Sequence, residues 1–207
     1  PTMGNISQGK PTSQSSNYNS ANSYPASMAV DGGITASSFN HTNNETQPWW
    51  QVDLGNTYSV SSIQLTNRMG CSSCAGRTKK FKVFISNSST VSAYSSSGSV
   101  YEYNNTTGLG DGQLLTISNL TASGRYVRIW VDNGSVSGPL HFAEVRVMGC
   151  SGSLCGNNQT PSVSVSSSQT SYPRNSSFTI NATASDPDGN ISYVEFYNGS
   201  TLLGTDN

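Results

Sequence analysis

Charge is what this 207-residue chain has least of: Asp, Glu, Lys and Arg together make up 10% of it, against about a quarter in ordinary soluble domains. The net charge is −1, which leaves no basic footprint for nucleic acid or for an anionic membrane. No apolar run approaches the roughly 20 residues that a membrane helix needs. Helical periodicity is missing too. There are two histidines and no second cysteine pair at finger spacing, which argues against a structural zinc site. The opening PTMGNIS has no signal-peptide pattern and reads as a mature or engineered start.

What the chain does have is Ser, Thr, Asn and Gly, set between short runs that alternate apolar and polar residues: SVSSIQLTN, KFKVFIS, LLTISNL, RYVRIWV and FAEVRVMG. Period-two runs of this length without helices predict an all-β fold, an antiparallel sandwich or barrel. Trp49, Val52, Leu54, Val60, Ile63 and Leu65 are its core candidates. CSGSLCGNNQTP divides the chain into a domain at 1–150, a stapled linker at 151–160 and a second β unit at 161–207. The second unit reads as strand, strand, a DPDGN turn, strand, a hairpin at NGS, and strand. The sequons in NETQ and NATA mark surface loops.

The few cations are clustered. Five of ten (Arg68, Arg77, Lys79, Lys80, Lys82) fall between positions 68 and 82, around Cys71 and Cys74. A Cys-x-x-Cys can be a redox motif, half a zinc site or a local disulfide. A thioredoxin-like motif would open a helix in a βαβ unit, and no helical pattern follows. The spacing of the four cysteines favours two local disulfides, Cys71–Cys74 and Cys150–Cys155, in a secreted protein.

MAVDGG, WWQVDLGNTYSVSSIQL, GRYVRIWV and LHFAEVRV together resemble the discoidin, or coagulation-factor C-type, jelly roll over about residues 4 to 149. Within that superfamily, His41, Arg68 after 26 intervening residues, two cysteines and Arg77 resemble the fucose-binding motif of the F-type lectins, or fucolectins. The resemblance implies that His41, Arg68 and Arg77 donate hydrogen bonds to L-fucose while a Cys71–Cys74 disulfide packs on the sugar's apolar face. A neutral sugar is discriminated by the placement of fixed donors, and arginine's planar fork can serve two adjacent oxygens. A ring this small stabilises a fold by only about 2 kcal/mol in the chain-entropy model, so a rigid ledge between two arginines is the better reason for it. The chain departs from the family pattern in two places. The family's cysteines are adjacent, and an aspartate stands where this chain has Gly70. By the same resemblance a structural calcium ion is held by carbonyls of Met28, Gly33 and Ala143, carboxylates of Asp31 and Glu144, and Ser38. Calcium takes six to eight hard oxygens, many of them from backbone. The family's disulfide between the positions of Phe39 and Ala143 is absent, which implies apolar packing there instead.

The fold class expected is therefore a discoidin-like antiparallel jelly-roll β-sandwich, followed by a partial immunoglobulin-like β-sandwich. ASDPDGNISYVEFYNGSTLLGTD resembles the N-terminal half of a bacterial immunoglobulin-like domain, a spacer in large secreted proteins. The function implied is a non-catalytic lectin module for fucosylated glycans, extracellular, with no nucleic-acid or membrane partner. A truncated second unit would expose one apolar face and form a homodimer through residues 161–207. Two rivals are an accessory fragment of a secreted glycoside hydrolase and a discoidin-type module for membrane or protein adhesion. Glycoside hydrolysis needs two carboxylates roughly 5–10 Å apart, and the eleven acids are scattered singly. Adhesion modules use apolar spikes on long loops, and these loops are rich in Asn and Ser. Lys79, Lys80 and Lys82 read as the solvated face of a strand, and His141 as a structural histidine.

Overall fold

Alternating sequence becomes strand almost throughout. A computed structural model describes residues 3–20, 23–90, 98–150, 161–187 and 190–206. Its first unit, Pro1–Cys155, contains β1 (Gly4–Asn5), β2 (Thr12–Gln14), β3 (Trp49–Asn67), β4 (Lys80–Ser86), β5 (Ser99–Asn104), β6 (Leu114–Ile117), β7 (Ala122–Val131) and β8 (Phe142–Cys150). Three short 3-10 turns, Tyr18–Ser20, Ala26–Val30 and Ala75–Thr78, are the helical segments among the described residues.

β3 organises this unit. Its first half pairs with β2 and β7, and its second half with β6 and β8. β7 leads on to β4 and β5, and β8 to β1, all antiparallel. One strand thus belongs to both layers of a jelly roll, and the layers close on a single core. The alternating run read at 59–67 in fact begins at Trp49, because Gly55 lies in an irregularity between Asp53 and Tyr58 rather than in a chain-reversing turn.

Side-chain parity along β3 corrects one core assignment. Trp50, Val52 and Leu54 are completely buried, whereas Trp49 is only half-buried. Pairing of Trp50 with Ile129 and of Val52 with Val127 turns these residues inward. Trp49 faces out and carries the Arg128 guanidinium 4.1 Å from its ring centroid. Gly55, Asn56 and Thr57 are exposed in the irregular stretch, and burial resumes at Val60. A register shift between Val60 and Ser62 then brings Ile63 and Leu65 to the core. One extra residue in a strand changes which face every later side chain occupies. The Trp50 indole nitrogen also donates to the Ala26 carbonyl at 2.9 Å, tying the Ala26–Val30 turn to the sandwich.

The second unit, Gly156–Asn207, holds β9 (Ser162–Ser167) paired with β10 (Ile180–Ser185), and β11 (Val194–Asn198) paired with β12 (Thr201–Asp206). The β11–β12 reversal uses Gly199 at φ 59°, at the NGS expected for a hairpin. Its apolar side chains are left in the open; Val163 and Val165 are 62% and 66% exposed. Cys155, the linker at 151–160 and the centre of the DPDGN turn lie outside the described residues.

The parity of β3 has a direct consequence for stability. Trp50→Ala should cost about 3–5 kcal/mol, the range for a large buried aromatic, and Trp49→Ala less than half of that. Urea unfolding of the two variants checks it; equal losses would mean that the assigned register is wrong.

Candidate functional site

Residues 40–42 and 140–142 run side by side. The Asn40 amide donates to the Phe142 carbonyl, the Phe142 amide to Asn40 Oδ1, and the Thr42 amide to the Leu140 carbonyl, at 2.7 to 3.0 Å. His41 is fixed between them, its amide on the Tyr24 carbonyl at 3.1 Å. Arg68 follows the end of β3, where Asn67 Nδ2 donates to the carbonyls of Leu109 and Gly110 at 2.6 and 3.0 Å. Arg77 projects from the Ala75–Thr78 turn, which begins as the Cys71–Cys74 disulfide closes. The loop at Gly108 presses against that turn. Gly108 has φ 77°, and a Cβ there would overlap the Ala75 carbonyl.

These elements bring the three predicted residues together. Arg77 Nη1 is 3.4 Å from His41 Nε2. His41 Nδ1 meets the Thr42 carbonyl at 2.6 Å, so the ring proton belongs on Nδ1 and Nε2 carries a lone pair. His41 Nε2 is therefore an acceptor, and the group it faces is Arg77. Burial lowers its pKa below the ordinary value, and the charges of Arg77 and Arg68 add to this against the Thr42 contact. The neutral form is the one present at pH 7.

Arg68 lies over Phe39, its guanidinium carbon 4.0 Å from the ring centroid. Phe39 in turn stacks on Tyr24, with centroids 4.6 Å apart and planes at 17°. This ladder answers how the arginine is oriented with Gly70 in the place of an aspartate: an aromatic face holds the cation. Glu45, the acid nearest in sequence to His41, is engaged elsewhere and accepts from the hydroxyls of Ser15 and Ser16 at 2.5 and 2.7 Å. Among the described residues no carboxylate pairs with Arg68 or Arg77, and Arg68 Nε is buried without an acceptor. Phe39, 3% exposed, is buried as expected, but its ring serves Arg68 and Tyr24. That role carried no sequence signal, and neither did Tyr18, whose ring centroid is 4.6 Å from that of His41.

Cys74 is buried and Cys71 half-buried, so the disulfide presents one edge beside Arg77. Behind the site His141 is completely buried, and neither of its ring nitrogens has a hydrogen-bond partner. Burial, followed by the neighbouring titratable groups His41, Arg77 and Arg68, lowers its pKa to about 3. It is an uncharged wall at 5.6 Å from the His41 ring. Of the three lysines, Lys82 is paired with Glu102 and Asp132 at 3.6 and 3.4 Å, while Lys79 and Lys80 are exposed.

The residues assigned to a metal form a second cluster. Asp31 ends the Ala26–Val30 turn that contains Met28. Its carboxylate accepts from the Gly33 amide at 2.7 Å and from Ser38 Oγ at 3.0 Å. Glu144, on β8 after Ala143, is 1% exposed and accepts from the Gly32 amide at 3.1 Å through Oε2. Its Oε1 has no hydrogen-bond partner; Arg146 Nε, at 3.8 Å, is beyond bonding distance. Burial pushes the Glu144 pKa up to about 7, aided by Asp31 and opposed by Gly32 and Arg146. Gly33 has no room for a side chain, since a Cβ would come within 2.6 Å of Ser38 Oγ. A buried carboxylate oxygen without a hydrogen bond, within the electrostatic reach of Asp31, fits a hard cation. Among the described residues no three His, Cys, Asp or Glu side chains converge, so any such ion takes its remaining ligands from carbonyls and Ser38.

Two family models match the chain: a NedA-like, galactose-binding domain of the F5/F8 type C group over residues 28–129 and a bacterial Ig domain over 161–207. Fucolectin-1 of Anguilla japonica is 37% identical over 65 residues, 30% of this chain and 35% of that protein. The chain spans about a third of the length of most of the curated fucolectins it matches, 35% and 33% for two of them, and 62% of Fucolectin-6. The lectin domain of Lectinolysin, solved with Lewis B antigen, is 33% identical at a TM-score of 0.55, over 70% of this chain and 95% of that one. A fucolectin from serum of striped bass, Morone saxatilis, is 27% identical at a TM-score of 0.62, over 81% of this chain and 56% of that one.

Proposed function

Because the chain belongs to the F5/F8 type C, discoidin-like family, has fucolectins as homologues and ends in a bacterial Ig domain, we propose that residues 1–150 are a lectin module for terminal L-fucose on glycans. The module is non-catalytic, as its lectin homologues are. One observation carries the reading: two arginines and a neutral histidine converge beside a disulfide, and among the described residues no carboxylate neutralises them. Such a site is short of acceptors, and a sugar brings oxygens without bringing charge. The arginines donate to sugar oxygens, and a sugar hydroxyl replaces Arg77 as the donor to the single lone pair of His41 Nε2. Cys71–Cys74 and Tyr18 offer apolar surface to the C–H face of the ring. An extracellular setting suits the disulfide, and among the described residues no helix is long and apolar enough to cross a membrane.

Hydrogen bonds to charged groups contribute about 1.5–3 kcal/mol each. After ordering costs, a single fucose should bind with a Kd of roughly millimolar to micromolar. Arg77→Ala should weaken it about 10- to 100-fold. Calorimetry with L-fucose in calcium buffer decides; no heat of binding from the wild-type chain contradicts the reading.

The reading includes a structural calcium ion at Asp31 and Glu144, with Ser38 and the carbonyls of Met28, Gly33 and Ala143. The ion would supply positive charge for two carboxylates and pin the segment leading to His41. Without the ion Glu144 binds a proton as pH falls through about 7, so protons compete with the cation. Calcium should therefore raise the melting temperature more at pH 8 than at pH 6, and Glu144→Gln should abolish the rise. A ligand at 100 times its Kd stabilises by about 2.7 kcal/mol, well within reach of a thermal scan. A melting temperature indifferent to calcium and chelator at both pH values rules the ion out.

In the same reading residues 161–207 pair with a second copy. Val163, Val165, Phe178 and Leu202 are exposed, and each two-stranded sheet offers unpaired edges. Light scattering should give twice the chain mass for the full chain and the single mass for residues 1–150. A monomeric full chain contradicts this.

A further inference from the structure

Beside Arg77 opens a groove of about 840 Å³ that shares only this residue with the sugar triad and none with the carboxylate cluster. It runs between the Ala75–Thr78 turn and the loop following β7, reaching Pro139. Its size is within the roughly 300–1,000 Å³ of small-molecule sites, more room than one sugar ring fills. Gly76, Gly134 and Gly138 add no side chains to its wall. His41 and Arg68 are not part of it. Arg77 is, so the groove borders the proposed fucose site through a shared guanidinium.

The charge of this groove is one-sided. Arg77, Lys79 and Lys80 line it, with Asp132 the one acid among its lining residues. Asp132 is already held by Lys82 at 3.4 Å. Among the described residues no carboxylate is within ion-pair distance of Lys79, Lys80 or Arg77. Lys79 Nζ lies 3.9 Å from where a Cβ on Gly76 would be, which places the ammonium over the residue next to Arg77. Asn44 and Asn133 add polar groups, although Asn133 Oδ1 is taken by the Gln47 amide at 2.8 Å. In a chain with 10 cations in all, three converge here on open space.

We propose that this groove is a subsite for an anionic group, a sulfate ester or a carboxylate, on the sugar next to the fucose. The proposal rests on the lectin reading of the neighbouring triad. The preferred ligand is then an acidic fucosylated glycan rather than a neutral one. Arg77 can serve both sites because its planar fork has five donors. Lys79 and Lys80 are solvent-exposed, so their attraction is modest: about a two- to fivefold gain in affinity at low salt. Salt should erase the gain, since the screening length falls from about 10 Å at 0.1 M to 3 Å at 1 M.

Calorimetry on the full chain tests this with four ligands: L-fucose, the neutral trisaccharide Lewis a, its galactose-sulfated form and its galactose-sialylated form. At least one acidic form should bind more tightly than neutral Lewis a, by the factor given, and the advantage should vanish in high salt. A gain for only the sulfated or only the sialylated form supports the subsite and identifies its anion. The double variant Lys79→Gln, Lys80→Gln should lose the gain and keep the wild-type affinity for L-fucose. The proposal is overturned if L-fucose binds but neither acidic form exceeds Lewis a, or if the double variant retains the gain. If L-fucose itself fails to bind, the lectin reading fails and this inference falls with it.

Discussion

Two arginines whose charges both act on His41, with no carboxylate partner among the described residues, are the constraint around which the first unit is arranged. Like charges near each other repel, and a half-buried guanidinium gives up hydration. In most folds a carboxylate would relieve this. Here Phe39 takes the face of Arg68, the neutral His41 takes an edge of Arg77, and the disulfide-closed turn fixes the backbone from which Arg77 departs. The donors are therefore positioned but not satisfied. Charged donors aimed at open space favour a ligand rich in acceptor oxygens, and their geometry does not have to be assembled when it arrives.

The same segment links this site to the carboxylate cluster. Ser38 touches Asp31, Phe39 supports Arg68 and His41 faces Arg77, all within four residues of chain. Residues 140–142, which pair with 40–42, lead directly into Ala143 and Glu144 on β8. A cation at Asp31 and Glu144 would thus brace both strands that carry the site. Close packing enforces the arrangement from the other side: Gly108 admits no side chain against Ala75, so the turn bearing Arg77 cannot slide along its neighbour without a clash.

Much of this was legible in the sequence, for reasons that differ by residue. The strands follow from period-two alternation, and the partnership of His41, Arg68 and Arg77 from spacing within a recognisable motif. The exchange of Trp49 for Trp50 in the core was not legible, because local alternation does not reveal which parity faces inward; the pairing of β3 with β7 settles that. Phe39 was read as filler for a lost disulfide. Its service to Arg68 depends on Tyr24 lying behind it, a contact between distant residues. Likewise the proton on His41 Nδ1 is decided by a carbonyl orientation that no residue type encodes. Lys79, Lys80 and Lys82 looked like one solvated face, yet Lys82 alone is paired, through β5 and the end of β7.

The account's central claim is that the uncompensated donors at Arg68 and Arg77, with the acceptor at His41, are a single sugar site. A crystal structure of the chain soaked with L-fucose tests it most directly. The account predicts one fucose with ring or hydroxyl oxygens within hydrogen-bonding distance, about 2.7–3.2 Å, of both guanidinium groups and of His41 Nε2, its apolar face on Cys71–Cys74. A fucose bound elsewhere, or one that engages neither arginine, would contradict it.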